Sequence, residues 1–256
     1  MNGAFYISSV GLQSQQRALD VIAGNIANVN TPAFKRSQVR FSEVLAMRND
    51  PDVPRADLDT MALTTSGVRA DSVAMMNEPG TMQVTGSSMD VAIEGQGFIE
   101  LMGPNGQTLL WRGGTMKVGE DGLLSAVNGM ALKAAITIPD DTSAITIAAD
   151  GVVRARTGEA SPVEVGQIAL VKVSDPAMLQ QLDGGLYRAN DGARLVDAQA
   201  GEDGTGMLVQ GSIERSNVEM TTEMVQLMLV QRAYAANAQL IQAADQLMSI
   251  ANSLRR

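Results

Sequence analysis

The segment NIANVNTPAFKRS, residues 25–37, ends a long amphipathic pattern and then breaks it. Asn25, Asn28 and Asn30 fall where a helix should still be drawing on good formers, and Thr31-Pro32 stops the repeat outright. Asparagine is a weak interior helix residue, yet it tolerates the left-handed conformation used at helix C-termini. Proline pushes the residue before it into an extended conformation. Upstream, Phe5, Ser8, Leu12, Gln15, Leu19, Ile22, Ile26 and Val29 recur at alternating spacings of three and four residues. That is the heptad seam of a coiled coil, with two polar interruptions. The spacing predicts a helix over about residues 3–29, capped by Asn28 or Asn30.

The far end of the chain repeats the idea. Leu229, Ala233, Ala236, Leu240, Ala243, Leu247, Ile250 and Leu254 alternate spacings of four and three, which predicts a helix over about residues 217–253. Ser216 stands three residues before Glu219, the spacing of a capping box. A second apolar stripe, Met220, Met224, Leu227, Tyr234, Ile241 and Met248, lies more than ~100° around the same helix. A helix with two apolar faces needs two partners. The plain alternative is that both helices pack as core in one globular domain.

Between the ends the pattern turns to β. MDVAIEGQGFIEL (89–101) carries β-branched and apolar runs, AITIPDDTSAITIAADGVV (135–153) holds two short Ile/Thr strands, and VEVGQIALVKV (163–173) reads as one more strand. Asn105-Gly106, Asp121-Gly122, Asn128-Gly129, Asp150-Gly151 and Asp191-Gly192 punctuate these runs. Asn-Gly and Asp-Gly between apolar runs are strong hairpin signals. The stretch 48–72 has little periodicity and reads as extended or mobile linker. The fold class expected is α+β: terminal coiled-coil-like helices pairing as one discontinuous domain (1–35 and 212–256), a linker over 36–85, and an antiparallel, mainly β domain over 86–205.

Composition excludes several functions. The chain of 256 residues has net charge −9 and a pI of about 4.6, which disfavours nucleic acid and anionic membrane as partners. It has neither Cys nor His, so the commonest general base, thiolate chemistry and the usual zinc ligands are absent. Aromatics are 3%, too few for a sugar-stacking cleft, whereas 16 Met suit adaptable packing surfaces. No apolar run reaches the roughly 18 residues of a membrane span. The start, MNGAFYISSVGLQSQQ, has no basic region followed by an apolar one, so a cleaved signal peptide is not expected.

Nor does any motif carry chemistry. GQG (95–97) lacks the third glycine of a dinucleotide loop and reads as a turn between strands. Asp140-Asp141 follows Pro139 in a solvated turn, and the GEDG stretches at 119–122 and 201–204 lack calcium-loop spacing. No serine has a histidine to activate it. A non-enzyme without cofactor or metal is expected, with a carboxylate-only hydrolase as the catalytic alternative.

The chain resembles the bacterial flagellar rod and hook family of axial proteins. Asn25, Ala27, Asn28, Thr31, Phe34 and Lys35 stand at the places of its ANxxTxGF-like motif, with Ala33 where the family usually has Gly. VRFSEVL (39–45) and DVAIEGQGFIEL (90–101) are similar to its further signatures. WRGGTMKV (111–118) stands for a YTRxGxF-type strand, with Trp111 for Tyr and Met116 for Phe. GSIERSNVEMTTEM (211–224) and QRAYAANAQLIQAADQLM (231–248) are similar to its C-terminal signature. The pattern is most like the distal rod members. The 46–72 segment departs from them and keeps a proximal rod subunit open; a secreted β-domain binding module or adhesin with helical oligomerising ends is the alternative outside the family.

The resemblance implies a structural subunit that polymerises with itself head to tail into a torque-transmitting tube. It implies terminal helices forming the inner core, with the β-domain outside. Partners implied are other axial proteins (proximal rod and hook), the flagellar type III export apparatus and surrounding ring proteins; location is the basal body, in the cell envelope and periplasm. The seam of the C-terminal helix would pair with the N-terminal helix of the same subunit, and the Met220–Met248 stripe would face neighbours. The assembly residues expected are Leu12, Leu19, Ile22, Ile26, Asn28, Leu229, Tyr234, Leu240, Ile241, Leu247 and Met248.

Overall fold

A computed structural model describes residues 2–47, 63–76, 78–158, 161–190, 192–202 and 204–254. The fold is α+β: two helices, one near each end of the chain, and mainly antiparallel sheets between them. The chain divides into two compact units, one made of 1–27, 37–73 and 219–256, the other of 28–36 and 74–218.

The first unit holds α1 (Asn2–Ala27), β1 (Ser37–Met47), β2 (Leu63–Ala74) and α2 (Met220–Leu254). β1 and β2 form a two-stranded sheet. Part of the stretch expected as linker is therefore paired strand; residues 48–62 lie outside the described residues. α1 stops two residues earlier than its periodicity suggested. Past its end the Thr31 N–H donates to the Asn28 carbonyl (3.1 Å) and the Thr31 hydroxyl to Asn28 Oδ1 (3.0 Å), so Asn28 anchors the turn that ends the helix. α2 starts at Met220 rather than 217, and the expected capping box does not form. Ser216 Oγ accepts from the Val218 N–H (3.3 Å), while the Glu219 carboxylate accepts from the Thr222 hydroxyl (2.8 Å) and the Glu219 carbonyl takes the Glu223 N–H (3.1 Å). Among the described residues no helix is long and apolar enough to cross a membrane.

The second unit is built on sheets. Its strands are β3 (Met82–Val84), β4 (Asp90–Glu94), β5 (Phe98–Met102), β6 (Thr108–Trp111), β7 (Gly113–Val118), β8 (Leu124–Ala126), β9 (Thr142–Ile147), β10 (Val152–Thr157), β11 (Val163–Gln167), β12 (Leu170–Val173), β13 (Leu179–Gln181), β14 (Leu186–Ala189), β15 (Leu195–Ala198), β16 (Met207–Gln210) and β17 (Ser212–Glu214). A six-stranded sheet runs β13-β14-β6-β5-β12-β15, beside a four-stranded β16-β4-β7-β8, a three-stranded β11-β10-β9 and the pair β17-β3. Strand pairing thus extends beyond 86–205 at both ends.

Period-two alternation splits the six-stranded sheet between two cores. Ile99, Leu109, Trp111, Leu170 and Leu186 join the large cluster with Val91, Ile93, Met116, Leu124 and Val153. Their neighbours Phe98, Leu110, Val171 and Tyr187 form the second cluster on the opposite face. Asn105-Gly106, Asp121-Gly122 and Asp150-Gly151 each join antiparallel neighbours, as the hairpin signals indicated, and Asn128-Gly129 makes a tight turn. Asp191 lies outside the described residues. GQG is the turn from β4 to β5; Gly95 has φ +119°, and a Cβ there would fall 2.7 Å from Gly206 Cα, so both conformation and space demand glycine.

Two strand expectations are corrected. Ala135–Ile138 is not a strand: Ala135 takes φ +46°, and the run is held by single bonds, Leu124 N–H to the Ile136 carbonyl and Ile138 N–H to the Gly122 carbonyl. The run 163–173 is two strands in different sheets, β11 on β10 and β12 between β5 and β15. Gly166 lies under Ile136, where a Cβ would come within 2.9 Å of the Ile136 side chain.

Candidate assembly site

The first unit brings the two terminal helices together around a polar contact. Asn25 is 1% exposed and Glu223 0% exposed. Asn25 Nδ2 donates to Glu223 Oε2 (3.1 Å) and to the Ser37 carbonyl (2.8 Å), and Asn25 Oδ1 accepts the Ser37 N–H (2.9 Å). Thus Asn25 bonds laterally while still helical. Glu223 sits in the first turn of α2, where a negative charge is favoured by the helix dipole. Beyond this contact an open groove of about 220 Å³ is lined by Ala18, Val21 and Ile22 of α1, Val39 and Phe41 of β1, and Gln226, Leu229 and Val230 of α2. Ala18 and Ile22 of α1 thus line one groove with Gln226 and Val230 of α2.

The buried stripe of α1 is Ser14, Ala18, Ile22 and Asn25. It lies about 80° around the helix from the centre of the heptad seam. The cause is visible in the groove: α1 faces both α2 and β1, and small Ala18 stands among residues of both. Of the expected assembly residues, Ile22 is buried, and Leu12, Leu19, Ile26, Asn28 and Ile241 are half-buried. Leu229 is 58% and Leu240 67% exposed, and Tyr234 is also exposed. Leu247 and Met248 belong to α2, but their side chains lie outside what is described. The expectation that α1 covers Leu240 within one chain is therefore corrected. On α2 the side toward α1 carries Glu223, Gln226 and Val230, whereas Met224, Val225, Met228, Leu229, Leu240 and Ile250 occupy an exposed arc of about 160°.

The second unit contains a buried ionic cluster joining segments distant in sequence. Lys35 is 1% and Glu214 2% exposed. Lys35 Nζ donates to Glu214 Oε1 (2.5 Å) and to the Glu78 carbonyl (2.9 Å). Arg112 donates to Glu214 Oε2 through Nε (3.3 Å) and Nη2 (3.2 Å), and its other donors reach the Gly95 and Gly97 carbonyls. Its guanidinium also lies over the Phe98 ring, and Phe98 meets Tyr187 edge to face. Tyr187 donates its hydroxyl to the Ala33 carbonyl (3.1 Å). Burial pulls the Lys35 ammonium below its usual range, against the opposing pull of Glu214. Burial also pushes the Tyr187 hydroxyl well above its ordinary value.

This cluster fixes two chain segments side by side. The Ala33 N–H donates to the Glu214 carbonyl (2.7 Å), the Asn217 N–H to the Phe34 carbonyl (3.4 Å), and the Arg36 N–H to Asn217 Oδ1 (2.6 Å). Ala33, at the family's usual glycine position, is buried with φ +56°. Sequence reasoning did not single out Arg112, Tyr187, Glu214 or Glu223 as a site. Glu214 and Glu223 lie inside the GSIERSNVEMTTEM signature, and Glu223 interrupts an apolar stripe, which was the available signal. Among the described residues no group of three or more His, Cys, Asp or Glu is gathered to hold a metal ion.

Comparison with known proteins places this fold, with helices at both ends and sheets between, in the class of flagellar axial proteins. Residues 5–35 match the family model for flagella basal body rod protein, 92–155 the flagellar hook protein FlgE/F/G D1 domain, and 209–254 the flagellar basal body rod FlgEFG protein C-terminal region. The chain is 34% identical over 260 residues to the flagellar basal-body rod protein FlgG of Caulobacter vibrioides, covering 98% of this chain and 99% of that protein. It is 31% identical to FlgG of Borreliella burgdorferi over the whole of both chains. To the flagellar basal-body rod protein FlgF of Caulobacter vibrioides it is 29% identical, over 94% of this chain and 93% of that one. The chain belongs to the flagellar basal-body rod protein family, and it is a structural subunit of the basal-body rod.

Proposed function

We propose that this subunit builds the distal part of the rod, and that its terminal helices pair as a coiled-coil-like core domain with the β-domain outside. The observation that carries the reading is the exposed apolar arc of α2, Met224, Val225, Met228, Leu229, Leu240 and Ile250. Single exposed apolar residues are ordinary, but several gathered on one arc of a helix, here interspersed with Arg232 and Gln239, mark an interaction surface. Neighbouring subunits cover this arc head to tail. Such heterologous contacts do not close, so they propagate as a helical tube. Many interlocked copies make a shaft that transmits torque without catalysis. The relatives support the distal assignment: FlgG proteins match at 29 to 34% identity over nearly the whole chain, and FlgF of Caulobacter vibrioides at 29% over 94% of it. The subunit meets proximal rod and hook proteins at the two ends of its own stretch, with ring proteins around it, and reaches the periplasm through the type III export apparatus without a cleaved signal.

The test is Leu240→Asp. Leu240 is exposed in the single chain, so the variant monomer melts within about 0.5 kcal/mol of the parent, as surface changes do. In the polymer the charge is buried once per subunit, and electron microscopy of basal bodies shows no completed rods. Full rods with normal swimming overturn the reading.

A further inference from the structure

We propose that Asn25 and Glu223 are the register key of the terminal helices: they select which turn of α1 meets which turn of α2. The inference rests on the helix pairing proposed above and adds what aligns it. Apolar contact is non-directional, and α2 repeats its surface. On the side toward α1, a shift of one heptad brings Val230 to the place of Glu223 and Ala233 to that of Gln226. In a rod, where each helix lies among identical copies, an apolar seam alone leaves several alignments close in energy.

The polar contact is not repeated. The Asn25 carboxamide is already oriented by Ser37, the first residue of β1, which takes one N–H and supplies one to the oxygen. Nδ2 then presents its remaining donor direction to Glu223 Oε2 at 3.1 Å. Both residues are buried, so neither side chain can exchange this partner for bulk water. A heptad slip moves Glu223 by roughly 10 Å along the axis. It carries an apolar or small residue to Asn25 and takes a buried carboxylate away from this donor. One buried polar residue in an apolar seam sets register and partner choice in coiled coils by this penalty. Glu223 is a positioning residue here, acting through alignment rather than through any reacting group.

Since the chain has no Cys, disulfide trapping reads the register without background. Ala18 and Val230 line the same groove, so Ala18→Cys with Val230→Cys reports the observed alignment. Ala18→Cys with Asn237→Cys, one heptad further, reports the slipped one. The full-length monomer is oxidised in air and scored by gel shift and peptide mapping. In the parent the first pair dominates. Glu223→Leu raises the slipped product at least tenfold relative to the observed one, at unchanged helical content by circular dichroism. Glu223→Gln, whose carboxamide oxygen still accepts from Asn25, keeps the parent ratio. Asn25→Leu gives the slipped product from the other side of the contact and stands in where Glu223→Leu fails to fold. A parent-like ratio in both leucine variants overturns the register key. The trapping reads monomers, so rods formed by Leu240→Asp would overturn the polymer reading and leave the register result intact.

Discussion

Glu214→Ala should be the most damaging single change in the second unit. The Glu214 carboxylate accepts from Lys35 Nζ at 2.5 Å, the Gly80 N–H at 2.8 Å, and Arg112 Nε and Nη2 at 3.3 and 3.2 Å. Alanine leaves both buried cations facing each other with only carbonyl partners, Glu78 for Lys35 and Gly95 and Gly97 for Arg112. Breaking a buried ion pair by removing one partner costs about 3–5 kcal/mol, against about 5–15 kcal/mol of total stability in a typical domain. Lys35 relieves part of that by giving up its proton, since burial already holds its ammonium below the usual range. At roughly 2–4 °C per kcal/mol for a unit of this size, the melting temperature falls by about 6–20 °C. Trp111, the one tryptophan of the chain, is buried in the main core and reports the transition by fluorescence. Adding Lys35→Met to Glu214→Ala removes one stranded cation and recovers several degrees. A single variant melting within about 2 °C of the parent would refute the argument that this cluster holds the two segments together.

Ala33→Gly should stabilise. An L-residue in the left-handed region costs roughly 1–2 kcal/mol and glycine's extra chain entropy about 0.5–1, so the net gain is about 0–1.5 kcal/mol, read as a higher melting temperature. The pH dependence has two limbs. The folded-state pKa of Lys35 lies below its ordinary 10.5, so the unfolded chain binds more protons and this group adds stability as pH rises toward 10.5; Lys35→Met removes that rise in denaturant titrations. The folded-state pKa of Tyr187 lies above its ordinary 10.0, so its contribution is complete below pH 10.0 and is lost above it; Tyr187→Phe flattens the alkaline decline.

The helices and most hairpins were legible because their signals are local. Periodicity marks a helix wherever one apolar face is buried, and Asp-Gly or Asn-Gly marks a turn by its own backbone preferences. What the sequence could not give was which partner each face meets. A heptad count scores bulky apolar residues against one imagined helix. α1 instead answers to α2 and β1 at once, so Ser14 and Ala18 are buried and Leu12 and Leu19 only half so. The ionic cluster was hidden for a related reason. Glu214 lies 179 residues from Lys35 and 102 from Arg112, and no local pattern pairs charges across such separations.

The asparagines of residues 25–30 show how far residue type alone can carry a reading. Asparagine suggests a helix end because its side chain competes with the backbone for hydrogen bonds. Asn28 does this: its carbonyl and its side-chain oxygen both accept from Thr31 in the turn that closes α1. Asn25, three residues earlier, faces the buried stripe, where that same hydrogen-bonding capacity is turned sideways to Ser37 and Glu223. The chemistry of the two residues is the same, and what separates them is where each falls around the helix. A polar residue inside an apolar stripe is therefore better read as a demand for a specific partner than as a fault in the stripe. Glu223, set among Met220, Met224 and Leu227, makes the matching demand from the other helix, and the two demands meet at one place in the fold.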